Sequence, residues 1–251
     1  VRDRIVCVGD VIDDVIVMPE GPVRDDTDTW STIRFRPGGS AANTAAWLAH
    51  VGAAVDLVAC VGAADVARHT DALPGVRSHL STDAELPTGT IIVIVDGQKR
   101  HMLTERGANA RLDPAAVTDA VLATARVLHV TGHTLRNERG LGDLIPRARA
   151  AGVAVCAAPG SAGLIADLGA STVASALAGA TILMGSLEEG RLLTGLDGPN
   201  EIAQALGVEI AVFTRGEDGV LVVTGGAVHE VPAVAAREVV DPTGAGDAFT
   251  A

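Results

Sequence analysis

Short, mainly apolar runs occupy positions 4–8, 55–60, 127–130, 153–157, 180–183, 209–214 and 220–223. Runs that are apolar at both alternating sets of positions predict strands covered on both faces, as in a parallel sheet. Alanine-rich stretches lie between them and predict helices over 41–51, 114–125, 140–150, 187–194 and 201–206, with a last helix starting near Ala245. Alternation of this kind predicts an α/β fold: three layers, α/β/α, around a mainly parallel central sheet.

A second class of strand mixes apolar with polar and charged residues, at 14–18, 32–36, 90–95 and 100–104. Val95-Asp96-Gly97-Gln98 reads as the turn of a hairpin between the last two, because Asp-Gly suits the positive φ angles of a tight turn. These segments predict a separate small β-sheet, drawn from about 11–36 and 88–105, lying as a lid over one end of the main sheet.

The chain of 251 residues fits one domain, with the lid as its appendage. Its net charge of −12 argues against nucleic acid, whose partners carry basic patches. Lys99 is the one lysine and sits in Val95-Asp96-Gly97-Gln98-Lys99, so no Gly-x-x-x-x-Gly-Lys phosphate loop is present. A nucleotide would have to be held by backbone amides, arginine or metal. Cys7, Cys60 and Cys156 sit in or beside apolar runs with no ligand spacing, which predicts free, buried thiols in a reduced compartment. No apolar run approaches the ~20 residues of a membrane span. The first residues enter a strand directly, with no leader, so the expectation is a cytoplasmic protein.

Chemistry concentrates in Asp241-Pro242-Thr243-Gly244-Ala245-Gly246-Asp247-Ala248-Phe249. Gly244 and Gly246 bare the backbone where a helix begins, so the amides of Gly244, Ala245 and Gly246 can converge on an anion. Asp247 follows in the first turn. A carboxylate beside an anion hole can take the proton of an alcohol while the amides neutralise charge on a migrating phosphoryl group. Read without that chemistry, the same string is a glycine-rich turn with a capping aspartate. Arg36-Pro37-Gly38-Gly39-Ser40-Ala41-Ala42-Asn43 leads into the first helix, with Gly38-Gly39 as a hinge between lid and main sheet.

Together these motifs resemble the PfkB, or ribokinase-like, carbohydrate kinases. The match is carried by Gly38-Gly39-x-x-x-Asn43-x-Ala45 and, about two hundred residues later, Asp241-x-Thr243-Gly244-Ala245-Gly246-Asp247. Val8-Gly9-Asp10-x-x-x-Asp14, Thr88-Gly89-Thr90, Arg106-Gly107-Ala108-Asn109, Leu193-Thr194-Gly195 and Thr214-Arg215-Gly216 extend it over the whole chain. The resemblance implies ATP-dependent phosphorylation of a sugar or related polyol. Asp247 would be the general base, and Gly244, Ala245 and Gly246 the anion hole for the transferring phosphoryl group. Asp14, Gly38, Gly39 and Asn43 would bind the sugar, while Thr214, Gly216, Ser186 and Glu189 would serve the nucleotide. Glu189 would organise Mg2+ through water, and Asp241 and Thr243 match positions beside a monovalent cation, K+. A homodimer through the lid would pair exposed lid strands.

Some positions depart from the family pattern. Ser186 stands where members carry Asn, Ala158 where many carry Asp, and Ile12 where ribokinases carry an Asn that contacts ribose. Members continue some tens of residues past the position of Phe249, so the C-terminal helices are expected to be missing here and activity to be weak in this chain. Two rival readings stand: a nucleoside kinase of the same fold, disfavoured by a content of five aromatic residues, and a non-catalytic sugar- or nucleotide-binding member. Arg100, Arg106, Arg136 and His133 are candidates for touching an acidic or phosphorylated sugar, and Arg215 for a phosphate.

Overall fold

A computed structural model describes residues 2–96, 99–235 and 244–251. The strands are β1 (Arg4–Val8), β2 (Ile12–Pro19), β3 (Ser31–Gly38), β4 (Val55–Gly62), β5 (Val76–Asp83), β6 (Thr88–Asp96), β7 (Lys99–Gly107), β8 (Ala125–Thr131), β9 (Ala154–Ala158), β10 (Ile182–Ser186), β11 (Ile210–Thr214), β12 (Val220–Thr224) and β13 (Ala227–Val231). The helices are α1 (Ser40–His50), α2 (Val66–Asp71), α3 (Asp119–Thr124), α4 (Leu144–Ala150), α5 (Ala162–Leu168), α6 (Ala170–Ala176), α7 (Leu187–Thr194), α8 (Pro199–Leu206) and α9 (Ala245–Thr250).

Nine strands form the main sheet in the order β13-β12-β11-β10-β9-β8-β1-β4-β5. The seven from β11 to β5 run parallel, and β12 and β13 close one edge antiparallel. Side chains alternate across this sheet, and each face gathers its own core. Val6, Val8, Val58 and Cys60 pack with Leu122 of α3 and Leu144, Ile145 and Ala148 of α4. Cys7, Leu57, Ala59 and Val61 pack on the other side with Ala41, Ala45 and Leu48 of α1. A further cluster joins Leu183, Phe213 and Ile202 near the antiparallel edge. The three cysteines are free and buried, and burial raises each thiol pKa, that of Cys156 to about 12.

The four remaining strands make a second sheet, β3-β2-β6-β7. Its β6–β7 pair is antiparallel as the hairpin requires, although the turn at Gly97-Gln98 lies outside the described residues.

The structure corrects several boundaries. The stretch 114–125 is not one helix: a single turn at Pro114–Ala116 precedes α3, and Ala125 already belongs to β8. Thr118 caps α3 by accepting from the Val121 amide, which fixes the later start. The stretch 140–150 is helical only from Leu144, because Gly140 and Gly142 hold positive φ angles. Strands β5 and β13 had no apolar signal. Both are sheet edges, with a solvent side that tolerates polar residues.

Candidate active site

Strands β1, β8, β9, β10 and β11 all end at the same side of the main sheet, where open α/β sheets bind ligands. Helix α1 begins there. Its N-cap, Gly39, has φ 100°, and a Cβ at that position would lie 2.3 Å from the Asp10 carbonyl oxygen, so the tight entry demands glycine. At Gly38 a Cβ would fall 2.2 Å from an Asp14 carboxylate oxygen. The glycine pair thus lets the lid strand and its aspartate close against the start of α1.

Asp247 arrives from the other end of the chain. Gly244, in the left-handed conformation at φ 75°, caps α9, and its carbonyl accepts from the Ala248 amide at 2.9 Å. The amides of the first turn, Ala245 and Gly246 among them, have no partner within the helix. Ser40 Oγ donates to Asp247 Oδ1 at 2.7 Å, and Asn43 Nδ2 donates to Oδ2 at 2.9 Å. Burial raises the Asp247 pKa, while the bonds from Asn43 and Ser40, and then the field of His133, pull it back down. Ser40 was not legible as a site residue, since serine at a helix start reads as ordinary capping. Asn43, expected on the sugar, donates to the aspartate.

A cleft of about 250 Å³ lies against Asp247 and is lined also by Ser40, Ser186, Glu189, Thr214 and Ala158. Ser186 caps α7, accepting from the Glu189 amide at 3.1 Å, and Glu189 Oε2 accepts from the Ser186 amide at 2.7 Å. Serine in the place of asparagine therefore keeps this capping box intact. A groove of about 510 Å³ continues past Ser186, Thr214 and Gly216. No group of three or more His, Cys, Asp or Glu side chains able to hold a metal ion occurs among the described residues. Asp241 and Thr243 lie outside the described residues, and so does the cation site expected there.

Asp14 is half-buried on β2; burial, then the charges of Asp13 and Asp247, raise its pKa to about 6. Arg106 at the end of β7 is committed: its guanidinium donates to both Asp10 carboxylate oxygens, at 2.7 and 3.1 Å, and to Asn137 Oδ1 at 2.6 Å. Arg136 pairs with Asp167, and Arg215 with Glu230 and the Asp218 carbonyl. Carboxylates of the chain thus already engage each of these three arginines. Burial lowers the pKa of His133, and the charges of Asp10, Arg106, Asp247 and Glu189 act on it.

The large, mostly parallel sheet with its helices and the small second sheet define a ribokinase-like fold. Adenosine kinase from Sinorhizobium meliloti superimposes with a TM-score of 0.86 at 22% identity, over 100% of this chain and 86% of that one. A protein from E. coli described as ribokinase II, solved in complex with ATP and Mg2+, gives 0.84 at 21%, over 100% and 84%. The family model of the pfkB family carbohydrate kinases matches residues 2–251, and the chain belongs to that family. By class it is a carbohydrate kinase. The bifunctional protein HldE of Pseudomonas putida is 33% identical over 244 residues, which cover 92% of this chain and 49% of that protein. The chain spans about half the length of the curated relatives it matches.

Proposed function

We propose that the protein transfers the γ-phosphoryl group of ATP to a hydroxyl of a sugar or related polyol, with Asp247 as general base. The observation that carries this reading is the meeting of Asp247 with Ser40 and Asn43, from opposite ends of the chain, at the edge of a cleft that also holds Glu189 and Thr214. Both carboxylate oxygens accept hydrogen bonds, which holds the group oriented and favours its ionised form. An acceptor hydroxyl beside it loses its proton to Asp247 as the phosphoryl group arrives. The amides of Gly244, Ala245 and Gly246 stabilise the charge on the phosphoryl oxygens.

ATP fits the groove along Ser186, Thr214 and Gly216, as the ATP-bound relative supports. Glu189 would hold Mg2+ through water, and the ion would neutralise phosphate charge. Asp14, Gly38, Gly39 and Asn43 would surround the acceptor. The lid of 11–36 and 88–105 would close over it within a single kinase domain and exclude water, the competing acceptor. The outer lid face, with Phe35, Ile33 and Leu103 all more than half exposed, is apolar enough to pair with a second copy. No described helix is long and apolar enough to cross a membrane, and we place the protein in the cytoplasm.

Asp247→Asn keeps the shape and removes the base. Turnover should fall roughly 10²–10⁴-fold, the usual contribution of general base catalysis, with the Kd for ATP unchanged. Normal ADP release by that variant with the acceptor present would exclude Asp247 as the base.

A further inference from the structure

Thr44 Oγ1 and His129 Nδ1 are buried, and neither has a hydrogen-bond partner among the described residues. Their residues are 1% and 3% exposed, and both line the cleft that holds Asp247. They reach it from different layers. Thr44 follows Ser40 by four residues on α1, which sets the two side chains on one face of the helix, a turn apart. Ser40 donates to Asp247 Oδ1, so the Thr44 hydroxyl lies one turn further along the same wall. His129 stands on β8, in register with Cys7 of β1 and Cys156 of β9. Cys7 packs against Ala41, Ala45 and Leu48, so His129 is on the sheet face that carries α1.

The two groups complement each other. Burial lowers the His129 pKa to about 4, and a hydrogen bond to the Cys156 backbone acts the other way. The imidazole is therefore neutral at neutral pH. A bond that favours its charged form is one in which the ring donates, so the unpartnered Nδ1 keeps a lone pair. The Thr44 hydroxyl brings a proton. An O–H group that accepts from Thr44 and donates to Nδ1 satisfies both, whereas an anion would meet the Nδ1 lone pair. The flanking thiols of Cys7 and Cys156 have raised pKa values and add no charge. Recessed polar groups of this kind are joined by ordered water, which makes about three hydrogen bonds. Two bonds go to Thr44 and His129, which leaves such a water one proton to give. Asp247 has so far one donor on each oxygen and can accept more.

We propose that Thr44 and His129 hold one water molecule beside Asp247, and that this water is the third hydrogen-bond donor to the base. Thr44 and His129 are then positioning residues for proton transfer. The effect on turnover rests on the kinase reading of Asp247; the water site does not. The charged and titratable groups around Asp247 are His133 on the turn Gly132–Arg136, Asp14 on β2 and Glu189 on α7, with Asp10 and Arg106 behind His133. All of them stay in place in the variants of the test.

A high-resolution crystal structure without acceptor should show a water within hydrogen-bond distance of Thr44 Oγ1, His129 Nδ1 and Asp247. A donor to the ionised carboxylate lowers its pKa, so losing the water raises it. In T44V and H129L the acid limb of kcat/KM should therefore move up by roughly half to one pH unit, with the Kd for ATP unchanged. T44V/H129L should move it no further than either single change, because both residues hold one water. T44S keeps the hydroxyl and should restore the wild-type limb. The same titration is read without turnover from the Asp247 carboxyl signal in carbon NMR, assigned by its loss in D247N. Four results each overturn the proposal: no ordered water at the site, density there only when an acceptor is bound, an unmoved titration in either single variant, or additive shifts in the double variant. The upward shift by NMR, with no ADP release from any sugar or nucleoside, would remove the kinase reading and leave the water site standing.

Discussion

Asp14 and Asp247 are both aspartates near glycine pairs, yet their surroundings divide their behaviour. Burial is the largest influence on both and raises both pKa values; two hydrogen-bond donors then stabilise the charge of Asp247, whereas two neighbouring negative charges push Asp14 up further. Asp14 therefore titrates near 6, within the range where a kinase works. Below that pH it is protonated and loses acceptor capacity for sugar hydroxyls; above it, both oxygens accept. The acceptor KM should rise as pH falls through about 6, and Asp14→Asn should flatten that dependence while raising KM at pH 8. Initial-rate kinetics across pH 5–8 check this, and a wild-type KM independent of pH would detach Asp14 from the acceptor. The position of Asp247 in the first turn of a helix was legible from its glycine-flanked motif. Its partner Ser40 was not, because nothing local in a serine before an alanine helix says that a carboxylate from 207 residues away will arrive.

Among the elements, α7 shows how a departure from a family pattern can preserve its physics. Serine and asparagine are both strong N-caps, and the reciprocal Ser186–Glu189 bonds need only a side-chain acceptor at the first position. Ser186→Ala should cost about 1 kcal/mol, read as a shift in the urea midpoint, and should free the Glu189 carboxylate from its orientation. Ser186→Asn should leave stability within about 0.5 kcal/mol of wild type, because the two residues cap almost equally well. A destabilisation by Asn as large as that by Ala would show that the box is not what holds this turn. The buried parallel strands were legible from their apolar runs, and the lid strands from their mixed pattern. Helices α5 and α6 were not: Gly163 interrupts one, Gly169 separates them, and their burial rests on few side chains.

For the whole molecule, the decisive asymmetry is between the two sides of the lid. Its inner side carries Asp14 and arginines, while Phe35 is 78% exposed on its outer side. The proposed dimer would bury this face against a second lid. Phe35→Asp should lower the mass seen by analytical ultracentrifugation from dimer to monomer without loss of folded signal by circular dichroism. A wild-type protein that sediments as a monomer at tens of micromolar would remove the dimer.

Hydrophobic periodicity determined the α/β class, the parallel core and the separate lid, and the glycine-rich motif determined the placing of Asp247 at a helix start. These follow from local patterns, because burial on one face or two leaves its mark at period 2 or 3.6. Tertiary structure decided which charges are already engaged. Arg34, Arg36, Arg106 and Arg136 are equivalent as letters, but Asp10, Asn137 and Asp167 take up the last two. Ion pairing depends on distances between residues far apart in the chain, which no local pattern encodes.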